Sequence, residues 1–110
     1  MRTTGTIRAH DDGTVTTVTL AGEIDAALSE ESASALARAA AAGLPMRLDL
    51  ADVLFLDSTG VGFLLDCHRA CTARGVPCTL SNVPDRVSGT LRILGLERLL
   101  TIVPAQATRP

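Results

Sequence analysis

The chain has 110 residues, a net charge of −2 and 46% apolar residues, enough to bury an aliphatic core without disulfides or metals. Ten arginines and no lysine stand against twelve acids with no basic stripe, and the aromatic residues are two phenylalanines, which argues against a nucleic-acid partner. No run approaches the ~18 apolar residues of a membrane span, and residues 1–13 lack the apolar core of a signal peptide, so a cytoplasmic protein without membrane contact is expected.

Residues 14–20 (TVTTVTL) are rich in β-branched side chains with partial alternation and predict a strand. A shorter strand near residues 4–9 precedes it, turned by Asp11, Asp12 and Gly13. Gly22, Glu23, Ile24 and Asp25 then close the strand as a loop. Ser29 is placed to cap a helix that runs to Ala42, with Glu30 and Glu31 in its first turn, where acids help. Gly43 and Pro45 end it, and residues 46–50 form a buried strand. The apolar run continues to a break at Asp57. Ser58, Thr59, Gly60 and Gly62 then open a helix with Val61, Leu64, Leu65, His68 and Cys71 in its apolar stripe, stopping at Gly75. Residues 76–80 are the next strand. Pro84 can occupy an early position of a third helix, with Val87, Leu91 and Leu94 on one face and Gly95 as its breaker. Residues 96–100 form a further turn, residues 101–103 a last short strand, and residues 104–110 a frayed tail. This alternation predicts an α/β fold: one domain over residues 1–110 with a core from about 14 to 103. Its sheet is mixed but largely parallel, with four to five strands covered by about four helices.

Cys67, Cys71 and Cys78 are odd in number and form no C-x-x-C pair. Cys67 and Cys71 lie four apart beside His68. A metal site is one reading of that spacing, but buried cysteine more often acts as a small hydrophobe, and no metal or other cofactor is expected. Asp57-Ser58-Thr59-Gly60 invites comparison with the D-[ST]-G loop of aspartic proteases. Here an extra residue separates Asp57 from Gly60, and a helical period follows. A G-x-S-x-G elbow and a P-loop lysine are both missing. With no convergent acid, base and nucleophile, the chain is not expected to be an enzyme.

Ser58 is the most informative residue. At the start of a helix, free N–H groups and the dipole favour negative charge, so a phosphate added there is tolerated. Each residue around it also has a plainer reading. Ser58 could be an N-cap, Asp57 a cap or turn residue, Asp25 an Asx-type loop residue and Val61 part of the core.

Three pieces, in order, resemble the signatures of a known family. They are Gly22-Glu23-Ile24-Asp25, then Leu48-Asp49-Leu50 through Phe55-Leu56-Asp57-Ser58-Thr59-Gly60-Val61-Gly62, then Gly95-Leu96 with Leu99-Leu100. The family is the STAS domain, specifically the stand-alone bacterial anti-sigma factor antagonists, and the resemblance covers roughly residues 14–103. It implies a STAS-like fold and a partner-switching role in transcription regulation. The unphosphorylated protein would bind an anti-sigma factor that is also a GHKL-type serine kinase, which frees a sigma factor. The kinase would use ATP to phosphorylate Ser58 and end the binding, and a PPM-type phosphatase would restore it. The resemblance puts Asp25, Asp57, Ser58, Thr59, Gly60 and Val61 at the partner face, with Gly60 and Gly62 open to close approach. The family also contains partner subunits of lipid-transport ATPases and modules of larger signalling assemblies, which need no phosphate. The intact D-S-T-G favours the regulatory form. The apolar Ala26-Ala27-Leu28, where members often carry Thr or Ser, leaves the choice of partner open.

Overall fold

The computed structural model describes residues 5–104; Thr4 of the first predicted strand and, except for Pro104, the tail expected to fray at 104–110 lie outside them. Five strands form one sheet in chain order: β1 (Thr6–Asp11), β2 (Thr16–Ile24), β3 (Met46–Leu56), β4 (Cys78–Ser81) and β5 (Thr101–Ile102). β1 is antiparallel to β2 and each later pair is parallel. A tight turn, with Asp12 N–H bonded to Val15 O at 3.2 Å, suffices for the first pair. The parallel pairs need crossovers, and α1 (Ser29–Ala42), α2 (Ser58–Arg74) and α3 (Asp85–Ile93) supply them. Among the described residues there are three α-helices and two 3₁₀ turns, Ala26–Leu28 and Leu96–Arg98, where about four helices were expected.

α1 packs on β1 and β2, α2 on β3 and β4, and the two helices touch. Between them and the sheet lie Val18, Leu20, Leu48, Leu50, Leu64 and Leu80, all fully buried. The other face of the strands carries Thr17, Thr19, Arg47, Asp49, Thr79 and Ser81, which are exposed or half-exposed. Parallel sheets usually have both faces covered and read as continuous apolar runs. The alternation in β2 and β4 reflects a face that meets water instead.

β3 is longer than the strand predicted at residues 46–50 because it carries two irregularities against β2. Thr19 pairs with Asp49 and Ala21 with Asp52; Gly22 pairs with Val53 and Glu23 with Phe55. Each extra residue shifts the inward position by three, so burial passes from Leu50 to Val53 to Leu56 and alternation is lost. β2 likewise extends through Gly22, Glu23 and Ile24, which are strand and not loop. Gly22 absorbs the irregularity at φ +76°.

Three further boundaries differ from expectation. Ser29 does not cap α1; its hydroxyl donates to Ala26 O at 2.8 Å, and the N-cap position is Leu28, whose side chain makes no capping bond. The strand expected at 76–80 starts at Cys78, because Val76 N–H still bonds back to Cys71 O and Pro77 has no N–H to give. Leu94 lies past the end of α3 and is 55% exposed, while Val87 and Leu91 are buried as expected. Gly43, Gly75 and Gly95 end their helices in the left-handed region, as their positions in the sequence suggested.

Cys67, Cys71 and Cys78 are free and buried. Burial pushes each thiol up, with neighbouring thiols adding to the effect on Cys67 and Cys78; Cys78 reaches about 12. Among the described residues no three His, Cys, Asp or Glu side chains are placed to hold a metal ion. Iodoacetamide at neutral pH is expected to label none of the three in the native protein and all of them in denaturant, read by mass spectrometry. Because the unfolded thiols ionise first, near 9, stability is expected to fall as pH rises from about 9 to about 12. Fast native labelling would show the helix α2 contact to be loose.

Candidate functional site

The carboxyl ends of β2 and β3 lie side by side, and Asp57 N–H donates to Ile24 O at 3.2 Å across them. That bond sets Asp25 and Asp57, the next residue of each strand, next to one another. In both, the side chain starts a helical turn. Asp25 Oδ1 accepts from Ala27 N–H at 3.0 Å and opens the 3₁₀ turn Ala26–Leu28. Asp57 Oδ1 accepts from Thr59 N–H at 2.8 Å and Gly60 N–H at 3.3 Å, and so caps α2. The capping role belongs to Asp57, not Ser58, and the backbone turns from extended (φ −97°, ψ −166°) into helix there.

Ser58 is thus the first residue of a 17-residue helix, and its side chain is exposed. Thr59 beside it is half-buried. Such a position offers an accessible hydroxyl at the positive end of a helix dipole, with the capping carboxylate one residue back. It can accept a phosphoryl group from a donor that reaches it.

Gly60 and Val61 turn the other way. Val61 is 9% exposed and belongs to the core cluster. A Cβ on Gly60 would stand 2.8 Å from Leu56 Cγ and 3.0 Å from Ile24 O, so this glycine lets α2 sit against the ends of β2 and β3. Its open side is taken up by the chain itself, not left for a partner. Gly62 is the opposite case. A Cβ there would meet nothing within 4 Å, and its φ is not left-handed. Glycine in a helix interior costs about 1 kcal/mol relative to alanine, and no contact among the described residues explains it at position 62.

Gly62 lies in a groove of about 300 Å³ between α1 and α2. Ser29, Ser32 and Leu36 line one wall; Ser58, Gly62 and Asp66 line the other. Sequence reading found Ser58, Thr59 and Gly62, and missed Asp66 and the wall that α1 supplies. The signal was present as spacing: 29, 32, 36 and 58, 62, 66 each trace one face of a helix, but nothing in either helix says that the two faces meet.

No helix among the described residues is long and apolar enough to cross a membrane. Compared with known proteins, residues 6–108 match the STAS domain. The chain is 31% identical over 85 residues to the "Anti-sigma-B factor antagonist" of Bacillus subtilis, covering 77% of this chain and 78% of that protein. Its backbone superposes on an anti-sigma factor antagonist from Mycobacterium paratuberculosis with TM-score 0.81 at 20% identity, over 94% of this chain and 89% of that one. It also superposes on the Bacillus cell fate determinant SpoIIAA at 20% and 19% identity, over 92% of this chain in both forms. The TM-score is 0.72 for the unphosphorylated form, over 90% of it, and 0.69 for the phosphorylated form, over 94%.

Proposed function

The chain belongs to the STAS domain family, and from that membership we propose that it is an anti-sigma factor antagonist switched by phosphate on Ser58. The match over residues 6–108 supports reading the chain as one such domain. In its unmodified form it binds an anti-sigma factor and so frees a sigma factor. That anti-sigma factor, a serine kinase of the GHKL type, transfers phosphate from ATP to Ser58, and a PPM-type phosphatase removes it. Asp25, Asp57, Ser58 and Thr59 lie at the docking end. The names of the curated relatives favour this role over that of a partner for a lipid-transport ATPase.

The observation that carries the reading is the exposed hydroxyl of Ser58 at the capped start of α2. Phosphorylation there adds about −1.5 to −2 charge. In the free protein the helix end offsets part of it, by about 0.3–1 kcal/mol. In a complex the dianion loses water while Asp57 stays beside it, so binding is lost without refolding. Incubation with the anti-sigma factor and MgATP is expected to add one phosphate, located on Ser58 by fragment mass spectrometry, and to dissolve the complex on a sizing column. Phosphate found elsewhere, or a phosphorylated protein that stays bound, would overturn the proposal.

A further inference from the structure

We propose that the groove between α1 and α2 seats a segment of the anti-sigma partner, whose backbone crosses α2 at Gly62 and whose cationic side chain reaches Asp66. This rests on the reading of Ser58 as the docking end.

Three observations lead to it. First, the groove opens at Ser58 and continues along α2 through Gly62 to Asp66, so a partner docked at the serine meets it next. Second, Gly62 is open on its outer side. Gly60, two residues earlier, is glycine because the sheet presses on it; Gly62 is pressed by nothing among the described residues, yet the helix bears its penalty. A backbone arriving from outside supplies the missing reason, since only a residue without Cβ lets two main chains approach closely. Third, Asp66 is the charged residue lining this groove, and no arginine lines it. Its contact with Arg69, at 3.1 Å, joins two side chains that are 51% and 72% exposed, a pair weak enough to give way to a partner's cation.

The cationic contact does not conflict with a switch that works by negative charge. Eight residues of helix separate Ser58 from Asp66, about 12 Å, which is beyond the roughly 8 Å screening length at physiological salt. The serine end therefore faces the partner's phosphate donor, while the aspartate end faces its cation.

The test uses the full chain and the purified anti-sigma factor that the Ser58→Ala protein retains, titrated calorimetrically. Gly62→Ala is expected to raise the melting temperature and to weaken binding at least about tenfold, because a methyl group now stands where the partner backbone passes. Gly89, inside α3, is just as open and lines no part of the groove. Gly89→Ala should raise the melting temperature with unchanged affinity. Asp66→Asn should weaken binding several-fold and flatten its salt dependence. The groove is ruled out if Gly62→Ala binds within about twofold of wild type, or if it melts earlier, which would make the glycine structural. Ser58→Asp in the same titration separates the two ideas. Loss of binding there with full binding by Gly62→Ala sinks the groove alone; full binding by Ser58→Asp with loss by Gly62→Ala sinks the switch alone.

Discussion

Ser58→Asp is expected to bind the anti-sigma factor at least about a hundredfold more weakly than Ser58→Ala, with little change in melting temperature. The size follows from the surroundings. A new carboxylate at position 58 follows Asp57 directly, and Asp57 is committed to capping α2 through Thr59 N–H and Gly60 N–H. Asp25 stands at the end of the neighbouring strand. Like charges brought together as an interface closes cost several kcal/mol, and about 3 kcal/mol exceeds a hundredfold in affinity. In the free protein the same charge stays in water at a helix N-terminus and is mildly favoured. Surface plasmon resonance on the immobilised anti-sigma factor would read the ratio, and equal affinities for the two variants would remove charge as the basis of the switch.

The second large effect concerns stability. Leu64→Ala is expected to lower unfolding free energy by about 2–5 kcal/mol, the usual range for emptying a closed core site. Leu64 is fully buried on α2 and faces the sheet within the core cluster. Against a typical total of about 5–15 kcal/mol, this is a large share, corresponding to a fall of roughly 8–20 °C in melting temperature for a chain of this size. Leu94→Ala is the contrast: the same atoms leave a site that is 55% exposed, and the melting curve should barely move. Urea unfolding of both proteins checks the pair. A loss at Leu64 no greater than that at Leu94 would mean that α2 is held to the sheet by something other than its apolar face.

Much of this architecture could be read from the chain. The strand–Asp57–helix passage, the glycine stops at 43, 75 and 95, and the buried Val87 and Leu91 all rest on local rules that tertiary structure left intact. The misses have specific causes. Two register shifts carried β3 on to Leu56 after its alternation had ended, since periodicity is the primary strand signal and an inserted residue erases it. Gly22 and Glu23 look like loop residues and are strand, because pairing with Val53 and Phe55 outweighs their weak propensity. Ser29 looked like a cap, but Asp25 had already begun the helical path one turn earlier. At the site, local sequence brought out Asp57 and Ser58. It could not separate Gly60 from Gly62, because what distinguishes them is Leu56 and Ile24 pressing on one and open space beside the other.

The double duty of Asp57 limits how this protein can diverge. Its carboxylate holds the first turn of α2 and would also repel a phosphate on Ser58, so a replacement that relaxes the repulsion must still supply a capping oxygen, as Asn does, or it unfastens the helix. Drift in partner preference is thereby steered toward positions that support nothing else. Ala26 and Ala27, exposed on their short turn, and Asp66, on the outer side of α2, are free to vary between lineages without loosening that cap.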